Sequence, residues 1–166
     1  VCCLSSVNLE KYYDFKDNDL FLEDILRFLD NILQFFIEKA PDAMNKARYS
    51  ALRERSIGLG CMGLDSLFQS RMIPFESVTA KILNKKIFKD MREQADKVSK
   101  KLAIERGSCL DASESGYEER FSYKLAIAPT ASISIICGGT SPGIEKIYAN
   151  IFTHKTVSGN FSVRNK

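Results

Sequence analysis

The sequence is poor in the residues that build metal centres. It contains a single histidine, His154, and its five cysteines form no Cys-x-x-Cys pair. A structural zinc ion needs four cysteine or histidine ligands, usually at such short spacings. We therefore expect this segment to bind no metal.

Long apolar runs and clusters of basic residues are also missing. No stretch approaches the roughly 18 consecutive apolar residues that a membrane-spanning helix needs. The formal net charge is only +3, and the lysines and arginines are scattered along the chain. Domains that bind nucleic acids usually concentrate their basic residues on one face. The sequence thus favours neither a membrane protein nor a nucleic-acid-binding protein.

The cysteines do not have the pattern of a disulfide framework. They are odd in number, irregularly spaced and not preceded by a secretory signal, which favours a reducing compartment. We expect a cytoplasmic location. A free cysteine usually packs as a small buried apolar residue, and we interpret Cys61, Cys109 and Cys137 in that way.

The composition is that of a folded globular segment. The chain has 166 residues, of which 45% are hydrophobic and 27% are charged, enough for one ordinary domain. It opens at Val1 in a strand-like segment and stops at Lys166 just after another. Domains usually begin and end in exposed linkers, so we expect residues 1–166 to be one part of a larger domain, truncated at both ends.

Hydrophobic periodicity predicts helices that alternate with short strands. Such alternation is typical of α/β folds with mainly parallel strands, and about four strands suit one sector of a barrel rather than a closed one. The predicted strands are 1–9, 55–60, 124–128 and 156–163, and the predicted helices are 20–39, 42–52, 63–70, 77–106 and 132–137. In helix 20–39 we place Ile32 on the buried face, which Phe21, Phe28 and Phe35 widen. In helix 77–106 we place Val78 and Ile82 on the apolar stripe.

Residues 125–145 are the most informative stretch, and they read LAIAPTASISIICGGTSPGIE. A strand ends at a Pro-Thr turn, where Thr130, Ser132 and Ser134 bring hydroxyl groups to the start of a short helix. Such a turn exposes backbone N–H groups at the positive end of a helix dipole, which suits a phosphate group. Ala131 keeps the turn narrow enough for a ligand to reach the backbone. The local alternative is an ordinary capped helix that binds nothing.

Motifs from one end of the chain to the other resemble the catalytic large subunit of the ribonucleotide reductases. The turn matches the family's Ala-Pro-Thr-Ala-Ser segment, followed by a Gly-Ile-Glu tripeptide after a glycine-rich loop. The further matches are CCLSSVNL at 2–9, RERSIGLGCMG at 53–63, Asn150 with Thr153, and VSGNF at 157–161. The resemblance implies a sector of the ten-stranded α/β barrel of this family.

The resemblance also implies roles for particular residues. Thr130, Ala131, Ser132 and Ile133 match the turn that cradles the substrate diphosphate, mostly through backbone amides. Cys2 matches the redox cysteine beside the substrate ribose. Neighbouring side chains in a strand point to opposite faces, so only one of Cys2 and Cys3 can face the substrate, and the motif register selects Cys2.

The family's chemistry implies partners that this segment does not contain. A radical cysteine removes hydrogen from the ribose, the 2′ hydroxyl leaves as water, and a cysteine pair becomes a disulfide that thioredoxin or glutaredoxin systems re-reduce. The radical comes from a metal-containing small subunit, and ATP and deoxynucleotide effectors bind elsewhere on a dimeric large subunit. We expect no cofactor in this segment. The radical cysteine, its Asn and Glu neighbours and the partner of Cys2 are expected upstream, and the radical-transfer tyrosines and C-terminal cysteines downstream.

Some positions depart from the family pattern and leave alternatives open. Lys146 stands where proline usually follows Ile-Glu, and Leu110 stands where proline is common. Glu145 is either an active-site neighbour or a structural hydrogen-bond partner, and His154 is expected at the surface or at a strand end. One alternative is the cobalamin-dependent class of reductase, although Ala131 replaces its turn glycine. Another is a non-catalytic assembly fragment from a split gene.

Overall fold

The architecture was determined as a computed structural model that describes residue 1 and residues 3–165, with position 156 described through its backbone alone. The chain alternates strands and helices in its first half and ends in a hairpin. Short 3-10 helices precede α1 and α3 at Leu9–Lys11 and Asp42–Met44. The elements are β1 (Leu4–Asn8), α1 (Tyr12–Phe15), α2 (Asp19–Lys39), α3 (Asn45–Glu54), β2 (Gly58–Met62), α4 (Leu64–Ser70), α5 (Val78–Arg106), α6 (Leu110–Glu114), α7 (Ala131–Ile136), β3 (Ile151–Thr156) and β4 (Gly159–Arg164).

Strands β1 and β2 pair in parallel, in the register Leu4↔Gly58 through Asn8↔Met62. On its other side β2 forms a single parallel bridge, Leu59↔Leu125. A Cβ on Gly60 would lie 2.6 Å from the carbonyl oxygen of Ala126, so only glycine lets the backbones approach this closely. The predicted strand 124–128 is thus reduced to one bridge, and Pro129, which lacks an N–H, could not have continued a strand ladder.

Helix α2 follows the predicted bounds closely. The side chain of Asn18 accepts a hydrogen bond from the Leu20 N–H at 3.1 Å and caps the helix. The side chains that face the core are Leu22, Leu26, Leu29 and Leu33.

Of the residues predicted to widen that buried face, Phe21 packs partly buried against the core, whereas Phe28 and Phe35 are exposed. Ile32, predicted on the buried face itself, is also exposed. The buried face instead turns toward Glu23 and Asp30. These two acids can be buried because arginine and lysine side chains pair with them.

Helix α5 packs against α2. Ser77 caps it by accepting from the Ala80 N–H at 3.1 Å, and Gly107, at a φ of +86°, ends it. Its buried face includes Ile87, Met91, Ala95, Val98 and Leu102. Val78 and Ile82 are exposed, contrary to prediction, because Ala80 is the buried residue of the first turn.

An ion cluster joins α2 to α5 and to the segment that leads to Leu125. Asp30 is completely buried and accepts from Arg55 Nη2 at 2.6 Å, Arg106 Nη1 at 2.8 Å and Arg120 Nε at 3.1 Å. Burial alone would raise the pKa of this carboxyl, but the hydrogen bonds from Arg55, Arg120 and Arg106 outweigh it and lower the pKa. The cluster therefore holds a charged carboxylate inside the protein.

Strands β3 and β4 form an antiparallel hairpin, with Thr156 opposite Gly159. The prediction of one strand over 156–163 is therefore wrong, since the chain reverses at Val157 and Ser158. Gly159 has a φ of +136°, which glycine adopts readily and other residues rarely do. In the described part of the chain, no helix is long and apolar enough to span a bilayer.

Candidate active-site segment

The Pro-Thr turn leads directly from the bridge at Leu125 into α7. Thr130 is buried and makes no side-chain cap to α7. Its Oγ1 instead accepts from the Gly143 N–H at 2.7 Å. The alternative of a helix capped by Thr130 therefore does not apply, and the hydroxyl serves to attach the turn to a neighbouring loop.

The two serines of the turn differ in environment. Ser134 is buried, and its hydroxyl donates to the Ala131 carbonyl at 3.0 Å. The side chains of Ala131, Ser132 and Ile133 are exposed. Of the three hydroxyl groups predicted to line the site, only that of Ser132 is exposed. The first N–H groups of a helix have no partner within the helix, so a ligand at this turn would meet mainly backbone donors.

A glycine-rich loop lies against the turn. The Thr140 N–H donates to the Ser134 carbonyl at 3.1 Å, and Gly143 donates to Thr130 as described. Gly138, Gly139 and Gly143 all have positive φ values, of +86°, +68° and +57°. The loop thus contacts the start of the turn and the residue just past it through backbone donors, and its glycines allow the sharp path that this requires.

The N-terminal turn of α4 holds the same loop from the other side. Gly63 donates its N–H to the Ser141 carbonyl at 2.7 Å. Ser66 and Ser141 exchange two hydrogen bonds, each backbone N–H to the other's hydroxyl, at 3.1 and 2.8 Å. Asp65 Oδ2 accepts from the Ile147 N–H at 2.8 Å. These contacts fix residues 141–147 on the helix that follows β2.

Cys2, the predicted redox residue, lies outside the described residues. Its neighbour Cys3 is buried among core residues. Cys61 is buried in β2 opposite Val7. Burial, with a smaller contribution from the nearby Glu145 carboxylate, raises the pKa of the Cys61 thiol to about 12. Cys61 therefore stays protonated near neutral pH, which makes it a poor nucleophile and agrees with a packing role.

The other cysteines, the single histidine and Glu145 differ in burial, and only some of them lie where the sequence predicted. Cys109 is buried, with its sulfur 3.5 Å from the Ser122 hydroxyl. Cys137 is exposed, so it does not pack in the core of the described part as predicted. His154 is half-buried within β3, opposite Phe161, rather than at a strand end. Glu145 is exposed, and its carboxylate lies over Gly143.

Asp65, Ser66 and Ser141 are residues that the sequence interpretation did not single out. Asp65 and Ser66 look like ordinary first-turn residues of a helix, where polar side chains are common. Their partners lie 75 or more residues away in the sequence. Only one feature could have pointed to them. Residues 58–68 are all buried, and polar side chains in a buried segment need hydrogen-bond partners.

Residues that could form a metal centre do not cluster in the part of the chain that the structure describes. No group of three or more His, Cys, Asp or Glu side chains with suitable spacing occurs among residues 1 and 3–165. What the site offers is a narrow turn of backbone donors just after the parallel bridge at Leu125, which can hold an oxyanion.

The parallel strands, their connecting helices and this strand–turn–helix segment define a sector of an α/β barrel. Two overlapping matches to one family model, described as "Ribonucleotide reductase, barrel domain", cover residues 1–120 and 111–166. The chain belongs to the ribonucleotide reductase family and lies in its barrel domain. The membership and the barrel fold predicted from the motifs are confirmed.

Individual relatives agree with this assignment. The large subunit of ribonucleoside-diphosphate reductase from Invertebrate iridescent virus 6 is 48% identical over the whole chain, which covers 17% of that protein. The corresponding protein of Invertebrate iridescent virus 3 is 43% identical over the whole chain, which covers 26% of it. A solved structure, the class Id ribonucleotide reductase alpha subunit of Actinobacillus ureae, superposes with a TM-score of 0.85 at 37% identity, over 90% of this chain and 28% of that one. The chain thus spans less than a third of each relative.

Proposed function

We propose that this chain is a segment of a ribonucleoside-diphosphate reductase large subunit, which reduces ribonucleoside diphosphates to the deoxyribonucleotides needed for DNA replication. Its own contribution is the turn at 130–133, which binds the substrate diphosphate, and one redox cysteine, Cys2. The observation that carries the proposal is the direction of the Thr130 hydroxyl, which accepts from Gly143 and leaves the first turn of α7 without a threonine cap.

The proposed binding is mainly a matter of backbone amides. The N–H groups of residues 131–133 point out of the first turn of α7, where the peptide dipoles favour negative charge. The small side chain of Ala131 lets the phosphate oxygens approach the backbone, and the exposed Ser132 hydroxyl is a further donor. Holding the diphosphate, which does not react, fixes the ribose relative to the cysteines and lowers the entropic cost of the reaction.

Cys2 is proposed as one half of the cysteine pair that supplies electrons. When the 2′ hydroxyl leaves as water, the two thiols give up two electrons and two protons and form a disulfide. The assignment rests on motif register, and the core position of Cys3 is compatible with it. A second cysteine from another part of the subunit is the required partner, and thiol exchange with thioredoxin or glutaredoxin restores the pair.

The remaining partners follow from the same proposal. The complete large subunit forms a homodimer, takes its radical from a metal-containing small subunit and binds ATP or deoxynucleotide effectors outside this segment, which itself holds no cofactor. A cytoplasmic, reducing environment suits this chemistry, because Cys61, Cys109 and Cys137 carry free thiols.

The substitution Ser132→Pro in the complete subunit tests the turn. Proline fits the first turn of a helix but lacks an N–H, so it removes one proposed phosphate donor. We expect the variant to bind CDP less tightly, with a binding free energy about 1–3 kcal/mol less favourable than that of the wild type. Isothermal titration calorimetry measures the difference.

The matched control is Ser132→Ala, which removes the hydroxyl and keeps the amide. It is expected to bind CDP more tightly than Ser132→Pro does. Unchanged CDP affinity in a folded Ser132→Pro variant would refute the diphosphate assignment.

A further inference from the structure

We propose that Asp65 and Ser66, at the start of α4, are positioning residues for the substrate diphosphate. They touch no substrate themselves. They fix the loop at 140–147, and that loop fixes the turn at 130–133. The inference rests on the proposed function of that turn and adds to it two residues that lie far away in the sequence.

The turn at 130–133 is attached to the loop at 140–147 by two hydrogen bonds. Thr130, which begins the turn, is buried and accepts from the Gly143 N–H at 2.7 Å. One residue past the turn, within α7, the Ser134 carbonyl accepts from the Thr140 N–H at 3.1 Å. A displacement of the loop therefore moves the start of the turn and the residue just past it, and with them the amides between.

The loop is in turn attached to Ser66 through Ser141. Ser66 and Ser141 are buried and exchange two hydrogen bonds, at 3.1 and 2.8 Å, in a closed ring. The Gly63 N–H adds a third bond, to the Ser141 carbonyl at 2.7 Å. Each serine thus satisfies the backbone N–H of the other, and losing either hydroxyl leaves a buried N–H without its acceptor.

The loop is also attached to Asp65, through the backbone of Ile147. This side chain is 2% exposed, and its Oδ2 accepts from the Ile147 N–H and from Gln69 Nε2, both at 2.8 Å. Asp65 therefore holds the loop beyond Glu145, while Ser66 holds it before Gly143. The two contacts bracket the Gly143 amide on which Thr130 depends.

Space as well as bonding limits the movement of this loop. A Cβ on Gly63 would lie 2.5 Å from Asn8 Oδ1 and 2.6 Å from Thr140 Oγ1. The Thr140 hydroxyl lies 3.3 Å from the same Asn8 oxygen. The start of the loop thus fits closely between β1 and α4, so the bonds from Asp65 and Ser66 act on a segment with little freedom to adjust.

The test uses the complete large subunit and two probes, CDP and inorganic pyrophosphate. We expect Ser66→Ala and Asp65→Ala each to weaken binding of both probes by roughly three- to tenfold, the factor that corresponds to the net contribution of one hydrogen bond. In turnover assays the KM for CDP should rise by a similar factor while kcat changes little, because the loop acts on substrate binding. Asp65→Asn retains an oxygen that can accept from Ile147, and we expect it to restore most of the affinity.

Ser99→Ala is the matched control. Ser99 is completely buried in α5, and its hydroxyl accepts from the N–H groups of Arg120 and Phe121 at 3.1 and 3.3 Å. The same substitution there removes an acceptor from buried backbone donors away from the turn. It should lower the unfolding temperature as Ser66→Ala does, but leave the affinity for both probes unchanged.

The possible outcomes separate this inference from the proposed function. Wild-type affinity in folded Ser66→Ala and Asp65→Ala variants would overturn the inference, while a weakened Ser132→Pro variant would leave the turn assignment standing. Equal losses in Ser99→Ala and Ser66→Ala would also overturn it, because the effect would then be general destabilisation. A wild-type subunit that bound neither probe would overturn the proposed function and the inference together.

Discussion

Asp30 shows at the scale of one residue how the interior tolerates charge. A fully buried carboxylate is costly unless its oxygens are well paired, and here three arginines from separate parts of the chain surround it. Arg55 has a left-handed backbone, with a φ of +42° at the end of α3, which a non-glycine residue rarely adopts. This cluster ties that backbone conformation to α2.

Replacing Asp30 by asparagine is expected to lower the free energy of unfolding by about 3–5 kcal/mol, as when one partner of a buried ion pair is removed. The amide can still accept a hydrogen bond, but the buried guanidinium groups lose their counter-charge. Urea denaturation of the wild-type and variant chains measures the difference.

The control for that variant is Asp111→Asn. Asp111 also pairs with an arginine, Arg53, but its side chain is 42% exposed, so the expected loss is below about 1 kcal/mol. Similar losses for Asp30→Asn and Asp111→Asn would contradict the burial argument.

The same carboxylate gives the stability a pH dependence. The pKa of Asp30 is lowered in the folded protein, whereas an unfolded aspartate has a pKa of about 3.9. The contribution of Asp30 is therefore complete above that value and is lost as the pH falls below it toward the folded pKa. Chemical denaturation from pH 6 down to pH 3 should show a smaller acid-induced loss in Asp30→Asn than in wild type, and equal slopes would contradict this.

Residue roles were the least predictable feature from sequence. Asp30 lies in a helix where a polar residue indicates a solvent-facing position, and nothing nearby reveals that Arg106 and Arg120 converge on it from 76 and 90 residues away. The position of Thr130 was predicted, but the direction of its hydroxyl depends on a loop that no local pattern describes.

At the scale of elements, the ends of the helices were predicted better than their buried faces. Asn18, Ser77 and Gly107 mark helix boundaries by local chemistry, and such chemistry is visible in a sequence. Which apolar residues are buried depends on neighbouring elements, and this is why Phe28 and Val78 were placed wrongly. The hairpin was missed because Gly159 fits either a strand or a turn.

The junction of β2 and α4 gives a test at this scale. Gly63 has a φ of +79°, and an added Cβ would meet Asn8 and Thr140 at 2.5 and 2.6 Å. Gly63→Ala is expected to reduce the free energy of unfolding by clearly more than the roughly 1–2 kcal/mol that left-handed backbone alone costs. Thermal or urea unfolding measures the loss.

Gly116 supplies the comparison, since its φ is +78° but an added Cβ would meet nothing within 4 Å. Gly116→Ala should show the backbone cost alone, about 1–2 kcal/mol. If Gly116→Ala lost as much stability as Gly63→Ala, the close fit of loop, β1 and α4 would not contribute.

At the scale of the whole molecule, the 166-residue chain covers 17% and 26% of the two viral relatives. The proposed reaction needs a radical cysteine and a partner for Cys2. Neither role is expected among the other cysteines of this chain, because the family motifs assign both roles to upstream residues. Cys3, Cys61 and Cys109 are in addition buried, whereas Cys137 is exposed.

We therefore expect the isolated chain to form no dCDP from CDP when it is mixed with a radical-generating small subunit and a thiol reductant. Chromatographic detection of dCDP measures this, and the complete large subunit is the positive control. Turnover by the isolated chain would show that a cysteine within it supplies the missing roles.

The ring formed by Ser66 and Ser141 also bears on the order in which this region is expected to fold. Its two members are 75 residues apart in the sequence, so closing it requires a long loop to form first, at an entropic cost that local helices do not carry. Contacts of such separation form slowly compared with helices and hairpins. We therefore expect the loop that fixes the turn at 130–133 to assemble later in folding than the local helices α4 and α5.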